Sequence, residues 1–185
     1  MKFKLSRILT FTLLGFILNG CASMPGMPGN IIENVSSFDG SKELTMEPAW
    51  LYDSSIKLSL YQNTKMNDTD VVLTAIVKGA HSFSRGKSLH FNIDGEIVSY
   101  EPIDSTTDIE TSSGFYGSGM YIPPSNWSSK RYAINVDFIE RLVSAERVII
   151  KIDLSKSYVE GVFSSSAPTT ARSPFREFHK RLSSY

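Results

Sequence analysis

The chain is short of cysteine, of net charge and of long apolar runs, and each shortage removes a class of protein. A single cysteine, Cys21, in 185 residues leaves no internal disulfide and no cysteine-based zinc site. With 19 basic and 19 acidic side chains the formal charge is zero, so no global field draws the chain to nucleic acid, and none is expected as a partner. The apolar stretch from Ile8 to Leu18 is broken only by Thr10, Thr12 and Gly15. As a helix it rises about 16 Å against roughly 30 Å of bilayer hydrocarbon, too little to span. Core material is ample, with 41% hydrophobic and 11% aromatic residues, as one globular domain requires.

Lys2, Lys4 and Arg7 ahead of that apolar run make the pattern of a secretory signal peptide over residues 1–20. The run closes in Leu18-Asn19-Gly20-Cys21, which resembles the lipobox of bacterial lipoproteins: an aliphatic residue, a tolerant position, a small residue, then cysteine. Asn19 stands where Ala or Ser is usual, and the resemblance covers only the first 21 residues. It implies cleavage after Gly20, a diacylglycerol on the Cys21 sulfur and an acyl group on the new amino terminus. Each buried methylene contributes about 0.8 kcal/mol, so several acyl chains give stable membrane attachment. Ala22 in place of an aspartate after the cysteine implies, by the same resemblance, the outer membrane; the domain is expected to face the periplasm. Taking Lys2, Lys4 and Arg7 from the 19 basic residues leaves 16 against 19 acidic ones, which gives no electrostatic pull toward anionic headgroups.

Residues 21–41 read as the lipidated N-terminus and a flexible tether. Two copies of Met-Pro-Gly and no sustained periodicity favour an extended spacer. The alternative is that Ile31, Ile32 and Val35 begin a first strand. Residues 42–185 have the size of one domain. Its dominant period is two: Leu44, Met46, Trp50 and Tyr52; Ile56, Leu58 and Leu60; Val71, Leu73, Ala75 and Val77. Pro48 cannot donate to a ladder, so the first of these strands is expected to be an edge or to bulge there.

Asp94-Gly95 between two alternating runs predicts a two-residue hairpin that pairs Ile93 with Glu96, Phe91 with Val98 and Leu89 with Tyr100, with His90 opposite Ser99 on the other face. Further strands are expected over Arg147–Leu154 and Tyr158–Phe163. A short helix near 137–144 starts with Asp137 and Glu140 in capping-box spacing and buries Phe138, Ile139, Leu142 and Val143. A C-terminal helix near 173–183 has Ser173 as its cap, Pro174 at its first position and a Phe175, Phe178, Leu182 stripe. The expected fold is mainly β, an antiparallel two-layer sandwich-like domain with these two helices covering or closing the sheets.

Catalytic signals are weak. Ser54 with Lys57 and Ser84 with Lys87 have the spacing of a serine-lysine pair but lack the companion motifs of that chemistry. His81, His90 and His179 are far apart and match no short metal-binding spacing, and neither metal nor cofactor is expected. Asn67, Asp68 and Asp70, and Asp104, Asp108 and Glu110, lack the glycine and distal glutamate of a calcium loop and read as solvated turns. Arg172, Arg176, Lys180 and Arg181 form a basic helix face on which Glu177 can pair with Arg181.

The segment from Gly114 to Trp127 stands apart: it is rich in glycine yet carries Phe115, Tyr116, Tyr121 and Trp127. Aromatic side chains give large contact area at small entropic cost, so these four are the candidate partner-binding residues, toward an envelope protein or a glycan. The structural alternative is a strand through Tyr121 and Ile122 with Trp127 folded over the core. The leading expectation is a non-enzymatic, outer-membrane-anchored lipoprotein that binds or scaffolds another envelope component. The competing one is an envelope hydrolase whose serine, histidine and carboxylate meet only in the folded chain.

Overall fold

A computed structural model of the chain describes residues 28–183, apart from 53, 68–69, 118 and 164–169. The expected signal peptide, Cys21 and the expected tether up to residue 27 lie outside the described residues. The element order is β1 (Ile31–Val35), β2 (Lys42–Trp50), β3 (Ile56–Asn63), β4 (Asp70–Lys78), β5 (Leu89–Ile93), β6 (Glu96–Tyr100), β7 (Asp108–Ser112), β8 (Phe115–Gly117), β9 (Met120–Ile122), β10 (Ser125–Asn135), α1 (Val136–Ser144), β11 (Val148–Asp153), β12 (Tyr158–Val162) and α2 (Arg172–Leu182).

The domain is mainly β, built from two antiparallel sheets with two helices, as the alternating pattern predicts. One sheet has the order β1-β2-β3-β4-β10-β7 and the other β12-β11-β5-β6, while β8 and β9 form a separate pair. Period-two patterning sends one face of each sheet inward. Leu58, Leu60, Leu73, Ala75 and Ile134 of the first meet Leu89, Phe91, Val148, Ile150 and Ile152 of the second in a single core. A buried hydrogen bond ties the two layers, Ser88 hydroxyl to Tyr132 hydroxyl at 2.9 Å, and burial pushes the Tyr132 phenol up to about 12.

The Asp-Gly hairpin has the predicted register, Ile93 with Glu96, Phe91 with Val98 and Leu89 with Tyr100. Both turn residues have positive φ, 51° at Asp94 and 98° at Gly95, the combination that matches strand twist. The Asp94 carboxylate also accepts from the amides of Arg147, at 2.7 Å, and Glu146, at 3.2 Å, which locks the turn to the start of β11.

Two expectations change, and the choice between edge and bulge at Pro48 is settled. Residues 31–35 are not spacer: β1 pairs with β2 from Ile31 opposite Met46 to Val35 opposite Lys42, and Ile31 is buried, so the alternative reading of Ile31, Ile32 and Val35 holds. Pro48 produces a bulge, not an edge, for β2 lies between β1 and β3 and its register shifts between Met46 and Ala49. The extra residue inverts the alternation, so Ala49 and Leu51 turn into the core and Trp50 and Tyr52 turn away from it.

Neither helix uses its expected cap. Asn135, the last residue of β10, accepts from the Asp137 amide at 2.9 Å and caps α1 in place of Asp137. Helix α2 begins at Arg172 with no side-chain cap, because its entry is held by the backbone: Thr170 bridges Trp50, and the Ala171 amide donates to the Trp50 carbonyl at 2.9 Å. The Arg172 guanidinium instead donates to the carbonyls of Val143 and Ala145, satisfying the orphan acceptors at the end of α1. Phe175 and Phe178 are fully buried with Leu182 packed alongside, as the stripe predicts. Phe138 of α1 stands edge-on to Phe91 and Tyr100, each at 5.0 Å, and this fastens α1 to the second sheet.

The strand directions define two ends of the first sheet. At one end lie the beginning of β1, the end of β2, the beginning of β3, the end of β4, the beginning of β10 and the end of β7, as the registers Ile31–Met46, Trp50–Lys57, Ile56–Val77, Lys78–Trp127 and Ser112–Ser125 require. The chain therefore enters the domain at the end from which the segment after β7 departs.

Candidate functional site

That departing segment is an arm. Strand β7 pairs with β10 from Asp108 opposite Ser129 to Ser112 opposite Ser125, and β8 pairs with β9 from Phe115 opposite Ile122 to Gly117 opposite Met120. Each step across the gap moves three residues on both sides, so the two ladders share one register. The interruption falls where Pro123 and Pro124 have no amide hydrogen to give. The turn closes at Gly119, whose φ of 78° suits glycine. The sequence reading treats this stretch as a loop; its hydrogen-bonded pairing makes it a hairpin, and β9 is the strand of the structural alternative.

The four aromatic residues separate into two groups. Tyr116 and Tyr121 are directly opposed on β8 and β9, with ring centroids 5.0 Å apart, and Tyr116 is 82% exposed. Met120 beside them is also exposed. Phe115 pairs with Ile122 along the backbone. Trp127 lies at the base of the arm, on the outward face of β10, and does not cover the core. Its ring meets Trp50 edge-on at 5.6 Å, and the Lys57 ammonium sits 3.9 Å from the Trp127 ring centre and 4.4 Å from that of Trp50. Burial lowers the Lys57 pKa, and the two ring faces offset part of that desolvation.

Trp50 and Lys57 were missed because strict alternation places Trp50 inside. Pro48 was the available signal, since a bulge there reverses the face of everything after it. Both tryptophans of the chain are thus on the outer surface at one end of the first sheet.

The second sheet carries a polar row on its outer face. His90 lies opposite Ser99, as expected, with Nδ1 2.7 Å from the Ser99 hydroxyl, and its Nε2 is 2.9 Å from an Asp153 carboxylate oxygen. Lys151 reaches the other oxygen of Asp153 at 3.0 Å. Partial burial opposes ionisation of Asp153, but the contacts from Lys151 and His90 outweigh it and hold the carboxyl below its ordinary range. The Ser99–His90–Asp153 chain has the connectivity of a nucleophile, base and orienting carboxylate. It lies on regular strands, however, and the cavities described on the surface are lined by other residues. The Asp153 contact was illegible in sequence because it needs β11 beside β5, a long-range pairing.

The remaining candidates disperse. Ser54 accepts from the Ile56 amide at 3.2 Å within its own turn, and Ser84 donates to the distant Leu154 carbonyl at 2.9 Å, both structural roles. His81 has its Nε2 3.2 Å from the Lys78 carbonyl and lines a cavity of about 230 Å³ with Ser82, Ser155 and Ser157. Asn67 donates to Asp70 at 2.8 Å within its own turn, while Asp68 lies outside the described residues. Among the described residues no group of three or more metal-capable side chains converges. Asp104 is clasped by Arg131 at 2.7 and 2.8 Å, and that pairing lowers its pKa from the ordinary carboxylate value. Arg181 pairs with Glu177 at 2.9 Å, as its spacing predicts, and also with Glu33 of β1 at 3.0 Å. With Arg172 bound to α1, two of the four cations on that helix serve the fold.

No family model, curated protein or solved structure matches this chain. The functional reading therefore rests on its own residues.

Proposed function

We propose that this chain is a bacterial lipoprotein, anchored by acyl groups on Cys21 in the outer membrane, whose periplasm-facing domain binds or scaffolds another component of the envelope and is not an enzyme. The observation that carries the reading is the position of the sole cysteine, directly after an apolar run and in the fourth place of Leu18-Asn19-Gly20-Cys21. The proposed contact surface is the arm, with Tyr116 and Tyr121 at its tip and Trp127, joined by Trp50 and Lys57, at its base. Its support is physical: exposed aromatic rings in tilted contact, on a hairpin that among the described residues pairs only with itself, give contact area without weakening the core.

The test is the N-terminus of material made in a bacterial host with a lipoprotein pathway. The N-terminal peptide should begin at residue 21 and carry diacylglyceryl and acyl mass, and Cys21→Ser should move the chain from the detergent-extracted membrane fraction to the soluble one. An unmodified thiol at Cys21 in the native chain refutes the anchor.

A second reading, an envelope hydrolase, is favoured by the Ser99–His90–Asp153 chain alone. An active-serine phosphonate probe should leave Ser99 unlabelled if the row is structural; labelling that disappears in His90→Ala would favour the hydrolase.

A further inference from the structure

Resting on the lipoprotein reading, we propose that the component engaged by the arm is the lipid surface itself: Tyr116, Met120 and Tyr121 enter the headgroup interface of the leaflet that holds the acyl chains. Three independent observations converge on it.

The first is direction. The chain enters β1 at the end of the first sheet from which the arm leaves, so an anchor at Cys21 draws the arm toward the membrane rather than away from it. Seven residue steps separate Cys21 from Pro28, where the described chain begins, a reach of at most about 25 Å, and the Asn30 carbonyl is already bound to the Glu47 amide. The arm beyond Ser112 extends about 20 Å at the rise of a strand. The arm also starts further toward that end than Ile31, which is level with Met46, Leu60, Leu73 and Tyr132, whereas the arm leaves at Ser125, so its tip meets the surface before the anchor segment is taut.

The second is charge. Between Glu110 and Lys130 no residue from 111 to 129 is charged, in a chain where 21% of residues are. Entry into the interface then desolvates no ionised side chain of the arm, and contact does not depend on anionic lipid, in keeping with the mildly acidic mature chain.

The third is residue type. Tyrosine and tryptophan favour the boundary between headgroup and acyl chain, where the ring is sheltered and the polar tip stays wet. The arm carries two exposed tyrosines and a methionine at its tip, and the two tryptophans with Lys57 lie behind it. A protein surface of this kind would be expected to mix in charged rim residues. The arm has none.

Tyr116→Trp places an indole at the tip for the test. Lipidated full-length mature chain carrying it is reconstituted into phosphatidylethanolamine and phosphatidylglycerol vesicles, with and without brominated acyl chains, after mass spectrometry has established the acyl groups on Cys21. The emission of Tyr116→Trp, corrected by the parent chain with Trp50 and Trp127 only, should shift to the blue, lose intensity to the brominated lipid and become shielded from iodide. A lipidated chain whose residue 116 indole stays as open to iodide in vesicles as in detergent-free solution of the Cys21→Ser form overturns the inference and leaves the anchor standing, and a protein or glycan then takes the place of lipid. A mass lacking acyl groups overturns the anchor and removes the premise of the inference with it.

Discussion

Two hairpins of this domain share nearly the same local design and have opposite fates. The β5–β6 hairpin turns at Asp94-Gly95 and the β8–β9 hairpin turns at Gly119, both with left-handed glycine at the turn. In the first, Phe91 and Ile93 are buried, and β5 pairs again with β11. In the second, the Tyr116 and Tyr121 rings meet each other at a tilt, and among the described residues neither strand has a further partner. Turn chemistry made both hairpins. What lies across their inner faces decided that one is core and the other is free to touch something else, since a two-stranded ribbon alone is marginal and persists here by extending the β7–β10 ladder.

Substitutions can break that comparison at either end. Phe91→Ala removes a fully buried ring that packs on both Phe138 and Tyr100. It should cost about 3–5 kcal/mol, and denaturant unfolding should show a lowered midpoint with little change in slope. Asp94→Ala keeps the strands but loses the carboxylate that holds the Glu146 and Arg147 amides, at a position with φ of 51°. A loss of about 1–3 kcal/mol is expected by the same measurement, combining backbone strain and unpaired amides. Tyr116→Ala with Tyr121→Ala should move the midpoint least, within about 0.5 kcal/mol, because neither ring reaches the core. If that double substitution unfolded the domain, the arm would be structural and its role as a contact surface would fall.

Much of the fold was legible because it depends on short-range rules. The period-two runs located the strands, and Asp94-Gly95 set the hairpin register that put His90 opposite Ser99. The apolar stripes of both helices also buried as expected, because spacings of three and four place residues on one helix face whatever the neighbour. Helix starts were less legible, since a cap is a contest among nearby donors and acceptors. Asn135 won it for α1, and for α2 the backbone bridge to Trp50 made a side-chain cap unnecessary. The candidate surface was half legible: Tyr116, Tyr121 and Trp127 were found by their type and crowding, while Trp50 and Lys57 depended on a bulge whose reversal of facing is felt several residues later.

The residues alone determined that the chain is mainly β, that its alternating strands bury one face, and that its sole cysteine follows an apolar run, because propensity, period and spacing are local properties. Only the tertiary structure decided that β1 joins the first sheet, that Trp50 meets Trp127 around Lys57, that His90 touches Asp153, and that the arm leaves from the end where the chain comes in. Those facts follow from which strand lies beside which, and that order is set by the burial of whole faces summed over the domain rather than by any one segment.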